Sequence, residues 1–134
     1  MRFVDTSFWF AVQSSADANH EQARRLWAGR GPGELITSNH VVGETWTLMR
    51  RRAGYHAARR FVETIGVSPS IAVVHLDATT EDDAWKWLLR HDEREYSFVD
   101  ATSFAVMRRR RITEALAFDG DFSAAGFVEA RDLD

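Results

Sequence analysis

The sequence predicts a three-layer α/β/α sandwich, with a small, mainly parallel sheet held between two layers of helices. Three observations predict it. Short apolar runs alternate along the chain with longer amphipathic segments, the pattern of strands joined by helical crossovers. The connections are short, so the crossovers are right-handed and the strands run parallel. The chain has 134 residues, 45% of them hydrophobic, which suffices for one domain over 1–134 that buries roughly two-thirds of its unfolded surface.

The elements follow in order. Residues 2–5 make a short buried strand, and Ser7 opens a helix that runs to Gln13. "SADANHEQARRLWAG" reads as a second helix, because Ala23, Leu26 and Trp27 recur at helical spacing and Gly29 stops it. "GRGPGE" is the clearest loop. "LITSN" is a second strand, with Ser38 or Asn39 placed to cap the helix "HVVGETWTLMRRR". "HAARRFVETIG" is a further helix between Gly54 and Gly66, with Pro69 beyond. "IAVVHLD" is a third strand, rich in β-branched residues. "TTEDDAWKWLLRHDE" is a helix with threonine caps, an acidic first turn and an apolar face of Trp85, Leu88 and Leu89. "SFVDATSFAVMRRRRI" is another helix, and "EALAFD" a fourth strand. "DGDFSAAGF" reads as a turn region and "FVEARDL" as a short final strand.

Composition excludes several chemistries. There is no cysteine, which removes thiol catalysis, disulfides and cysteine-ligated zinc. No apolar run approaches the roughly 18 residues of a membrane span and no secretory signal precedes Asp5, so a cytoplasmic protein without membrane contact is expected. The formal charge of −3 argues against a polyanionic partner only until acids gathered around cations are set aside, whereupon the remainder turns positive. Lys86 is the one lysine among 17 basic side chains, and the arginines clump at 50–52, 59–60 and 108–111. Arginine forks suit phosphate, although charge at helix C-termini explains such clumps equally well.

In a parallel sheet the carboxyl ends of all strands share one edge, where the following helices begin and where ligands bind. Asp5 ends the first strand and Asp119 the fourth. Glu44 lies early in the helix after the second strand, and Asp100 in the first turn of the helix that opens at Ser97. Four acids distant in sequence are thereby expected at one rim. Each has a local alternative: Asp5 with Thr6 and Ser7 as a helix cap, 97–100 as a capping box, and 119–121 as a turn. Glu44 is the exception. Three residues after Val41 and four before Leu48, it is expected on the apolar face, where a carboxylate needs a partner.

Two carboxylates about 5 Å apart repel by roughly 3 kcal/mol at an effective dielectric near 20. Several such pairs threaten a domain of ~5–15 kcal/mol stability, so either the acids stay apart or a cation holds them. Hard oxygen donors without cysteine point to magnesium or manganese. The five histidines show no HxxxH or HxH spacing; His20, His40, His56 and His91 are expected on polar helix faces or ends and His75 in a strand.

These residues carry a family resemblance. "VDTS", "TSNHVVGETWTLMRR", "SFVDATSFAVMRRRRITEALAFD" and "DFSAAGF", in that order over nearly the whole chain, resemble a PIN-domain ribonuclease, specifically a VapC-like toxin of a toxin–antitoxin pair. The resemblance implies a PIN-like, Rossmann-like fold and an acidic pocket binding Mg²⁺ or Mn²⁺ for endonucleolytic RNA cleavage. Asp5, Glu44, Asp100 and Asp119 take the places of the family's four acids, with Asp121 a secondary contributor and Thr6 at a supporting hydroxyl position. A metal held by Asp5, Asp100 and Asp119 would activate water, and Glu44 would ligate a second metal or orient that water, leaving a 5′-phosphate and a 3′-hydroxyl. A homodimer and a VapB-like antitoxin, reaching the groove near Phe8, Trp9 and Phe10, are also implied.

Rival readings are a non-catalytic binding module of the same fold and another magnesium-dependent phosphoryl-transfer enzyme. A haloacid-dehalogenase-type phosphatase requires DxD after the first strand, where Asp5-Thr6-Ser7 stands. A receiver domain requires paired acids there and a lysine placed after a later strand, and this chain has neither arrangement.

Overall fold

The computed structural model describes residues 1–133. Five parallel strands form one sheet in the order β3-β2-β1-β4-β5. They are β1 (Arg2–Val4), β2 (Leu35–Ser38), β3 (Ile71–Val74), β4 (Glu114–Leu116) and β5 (Val128–Glu129). Seven helices connect them: α1 (Thr6–Gln13), α2 (His20–Ala28), α3 (Asn39–Arg52), α4 (Tyr55–Val67), α5 (Ala78–Leu88), α6 (Phe98–Arg110) and α7 (Asp121–Ala124). α1–α4 lie on the connections from β1 through β2 to β3, and α5–α7 on those from β3 through β4 to β5. Right-handed crossovers therefore place the two sets on opposite faces, with α3 and α6 still in contact. This is the predicted three-layer sandwich, with a sheet that is parallel throughout.

β1 is central, pairing Phe3 with Ile36 on one side and with Ala115 on the other. Phe3 and Val4 are wholly buried, as is every residue of β2, as expected where helices cover both faces. Phe3, Phe8, Phe104, Phe122, Leu35, Ile36 and Leu116 fill the centre of the core. α6 is buried along its whole middle, from Asp100 to Met107. It can afford polar residues there because the Thr102 and Ser103 hydroxyls donate to the Val99 carbonyl at 2.7 and 3.0 Å.

The structure corrects the sequence expectations in several places. β3 stops at Val74, so His75 lies beyond the strand, and β4 stops three residues short of Asp119. α2 begins only at His20, after turns. α5 is capped by Asp77 instead of threonine, its carboxylate accepting from the Thr80 amide at 2.8 Å and the Thr80 hydroxyl at 2.7 Å. The turn region after Asp119 contains α7, entered through Gly120 at φ 81°, a left-handed conformation that suits glycine. No helix among the described residues is long and apolar enough to cross a membrane.

Candidate metal centre

The strand order changes direction between β1 and β4, whose chain neighbours lie on opposite sides. The crossovers diverge there and leave a crevice at the carboxyl ends of the two strands. Asp5 follows β1, Asp119 lies just past β4, and Asp100 enters from the first turn of α6. One carboxylate oxygen from each lies within 4.8 Å of the others. Asp5 is 2% and Asp100 8% exposed, while Asp119 stands at the mouth of the crevice.

Each acid is held by local hydrogen bonds. Asp5 Oδ2 accepts from the Ser7 amide at 3.1 Å and the Ser7 hydroxyl at 2.7 Å. The same Ser7 Oγ accepts from the Phe118 amide at 3.0 Å, tying Asp5 to the stretch that presents Asp119. Asp100 Oδ2 accepts from the Ser97 amide, and the Asp100 amide donates to Ser97 Oγ, both at 3.0 Å. Asp119 Oδ1 accepts from the Asp121 amide at 3.1 Å. Asp5 and Asp119 approach closely enough for one carboxyl to hydrogen-bond the other, and among the described residues no basic side chain pairs with any of the three carboxylates. The capping box at Ser97 and the cap at Asp5 are both real, so the local and the clustered readings of these acids hold at once.

The cluster is electrostatically strained. Burial, and then Asp119, push the Asp5 carboxyl well above its ordinary range, against the two hydrogen bonds from Ser7. Asp100 is pushed up to about 6, first by burial and then by Asp121 and Asp119. Asp119 is also raised, by crowding from the protein and by the charges of Asp121 and Glu129. Buried carboxylates behave so when no cation accompanies them. Three convergent hard-oxygen donors without a basic partner fit a divalent cation.

The remaining predicted site residues lie around this triad. The Thr6 hydroxyl is 3.1 Å from that of Thr45 on α3 and bonds it within the core, so it braces the start of α1 against α3. The Asp121 carboxylate accepts from Arg94 Nε at 2.6 Å; it already has its own cation. Glu44 stands outside the group of three. The expectation that it shares the apolar face of its helix is corrected: α3 buries Val41, Thr45 and Met49, one position further round. Glu44 is instead half-exposed and lines a groove of about 600 Å³ with Asn39, His40, Arg51 and Val99. That groove reaches Val99, the residue before Asp100, but none of the three acids lines it.

The sequence reading missed two supporting residues. Ser7 had a signal, a hydroxyl two residues after an acid, but its second bond to Phe118 is long-range. Arg94 had none, because its partners Asp119 and Asp121 lie on the far side of α6 in sequence. No histidine joins the acid group; His20 Nδ1 contacts the Ala11 carbonyl at 2.7 Å and His40 lies 3.6 Å from Glu81.

Comparison with known proteins places this geometry. A family model described as "PIN domain" matches residues 2–128. The chain is 60% identical over 131 residues to the "23S rRNA-specific endonuclease VapC20" of Mycobacterium tuberculosis, covering 98% of each chain. It is 27% identical over 124 residues to a "VapC ribonuclease" of Archaeoglobus fulgidus, covering 90% of this chain and 78% of that one. The crystal structure of M. tuberculosis VapC20, described as a sarcin–ricin loop cleaving toxin, superposes with a TM-score of 0.93 at 59% identity, covering 98% of this chain and all of that one. A toxin–antitoxin complex from Klebsiella pneumoniae shares the fold, with a TM-score of 0.64 at 13% identity over 86% of this chain and 83% of its match. The chain belongs to the PIN domain family, as a VapC-like member.

Proposed function

We propose that this protein is a metal-dependent endoribonuclease, the toxin of a toxin–antitoxin pair, which hydrolyses RNA at the Asp5–Asp100–Asp119 crevice. One observation carries the reading: three carboxylates from separate elements converge within 4.8 Å without a basic partner, in a chain 60% identical to an rRNA endonuclease over nearly its whole length. The substrate that relative is named for, the 23S rRNA, and the sarcin–ricin loop that its structure is described as cleaving, are the first candidates here.

Asp5, Asp100 and Asp119 would hold the cation, Mg²⁺ or Mn²⁺, through carboxylate oxygens that lie within 4.8 Å of one another. When bound, such a cation neutralises the carboxylates and supplies Lewis-acid charge to a phosphodiester and to water. Ser7, Ser97 and the Asp121 amide orient the three carboxylates, so little reorganisation accompanies binding. Glu44, with no ion-pair partner among the described residues, lines the groove that reaches Val99, where it would orient the attacking water or help to hold a second, weaker cation. Attack in line leaves 5′-phosphate and 3′-hydroxyl ends. A VapB-like antitoxin that lays a basic side chain among the acids, and a homodimer, complete the reading.

The test is to incubate ribosomes or a sarcin–ricin loop hairpin with the purified chain, with and without EDTA, and to map the cut ends. Cleavage that needs Mg²⁺ or Mn²⁺ and yields 3′-hydroxyl ends is expected. Cleavage undiminished in chelator, or 2′,3′-cyclic phosphate ends, would contradict the mechanism. No cleavage at all from antitoxin-free protein would leave a binding module of the same fold.

A further inference from the structure

Arg94 occupies the stretch between α5 and α6, three residues before the Ser97 cap that positions Asp100. Its Nε donates to Asp121 Oδ1 at 2.6 Å and its Nη2 to the Asp119 carbonyl at 3.0 Å. The Asp121 amide in turn donates to Asp119 Oδ1 at 3.1 Å. Arginine and turn thus form a closed ring on the back of the residue that presents Asp119. The guanidinium lies against Gly120, where an added Cβ would stand 3.1 Å from Nη2. Only two of the five guanidinium N–H groups are used in these bonds, and the side chain is 41% exposed. Among the described residues no other arginine or lysine bonds to an acid of the site or to its backbone.

We propose that Arg94 contacts the substrate, giving its outer N–H groups to an RNA phosphate flanking the cleavage site, and that Asp121 is its positioning residue and no metal ligand. The inference rests on the ribonuclease reading. An acidic crevice repels a polyanion even when one cation partly neutralises it, so a fixed cation at its rim has an electrostatic task. A planar fork clamped on its inner edge and open on its outer edge suits a phosphate.

The experiment measures binding of a fluorescently labelled sarcin–ricin loop hairpin as salt is varied, with Ca²⁺ replacing Mg²⁺ and a gel confirming intact probe. Mn²⁺ affinity is measured separately by calorimetry. Loss of one phosphate contact lowers the slope of log K against log salt by roughly 0.7–0.9. Arg94→Ala is expected to lose about that much slope and roughly tenfold in affinity, while Mn²⁺ affinity stays within about threefold. Arg94→Lys should keep the slope and lose part of the affinity. Asp121→Asn should weaken RNA binding while leaving Mn²⁺ affinity similarly unchanged, whereas loss of a ligand costs far more.

An unchanged slope in Arg94→Ala overturns the proposal and leaves Arg94 as a staple of the turn. A lowered slope accompanied by an equal loss of Mn²⁺ affinity also overturns it, because Arg94 then acts through the metal site. If wild-type protein neither binds nor cuts RNA, the ribonuclease reading falls as well, so the two failures are distinguishable.

Discussion

Asp5 caps α1 and faces two other carboxylates with the same side chain, and the two roles pull its proton affinity in opposite directions. Hydrogen bonds from Ser7 favour the ionised form, while burial and Asp119 oppose it and prevail. Asp5→Asn removes the buried charge and keeps an acceptor for Ser7, so it should abolish cleavage and Mn²⁺ binding without unfolding. In EDTA its melting temperature should equal or exceed that of the wild type. Ser7→Ala should cost about 1–2 kcal/mol, since it strips a hydrogen bond from a buried carboxylate and another from the Phe118 amide. Metal affinity should fall roughly 10–100-fold, as for other residues that orient a ligand; calorimetry reads both effects. At this scale the sequence was informative about Asp5, Asp100 and Asp119, because strand ends and a helix start can be located from apolar periodicity. Asp121 was ambiguous, since its meaning depends on Arg94, 27 residues away.

α3 shows where element-level reading fails. Counting apolar residues alone put Glu44 on the face of Val41 and Leu48, but the helix buries Val41, Thr45 and Met49. The Thr45 hydroxyl satisfies itself on the Val41 carbonyl at 2.8 Å, which lets a polar residue occupy a core position and turns Glu44 outward by one step. α6 was read more faithfully because its start is marked by a capping box, a local signal. Ser97→Ala breaks that box and releases the orientation of Asp100. It should destabilise the protein by about 1 kcal/mol and weaken Mn²⁺ binding, whereas Ser97→Thr should restore both. β4 illustrates a third case: an apolar run, "EALAFD", outlasts its strand by three residues because Ala117 stays buried after the ladder ends. Periodicity reports burial, and burial does not stop where pairing does.

For the whole molecule, the proposed cation and the proton would compete for one basin. The three acids titrate above their ordinary values in the folded chain, so at these groups the native state binds more protons than the unfolded state and their contribution to metal-free stability falls as pH rises. For Asp100, displaced from 3.8 to about 6, the loss runs between those pH values and amounts to roughly 3 kcal/mol at about 1.4 kcal/mol per unit. In EDTA the protein should therefore melt several degrees higher at pH 5 than at pH 8. Saturating Mn²⁺ should reverse that order, since cation binding gains as the protons leave. A melting temperature in EDTA that rises with pH would show that the acids are compensated in some other way. The global architecture was the most legible feature, because alternation of strands and helices with short connections admits few topologies. The order β3-β2-β1-β4-β5, with its switch point between β1 and β4, turns that architecture into a site.

The most direct test is crystallographic: crystals soaked in Mn²⁺ and measured at the manganese absorption edge. An anomalous peak bounded by oxygens of Asp5, Asp100 and Asp119 is expected, and it should be lost in Asp5→Asn. A peak confined to other residues, or a crevice that stays empty while Mn²⁺-dependent cleavage proceeds, would contradict it.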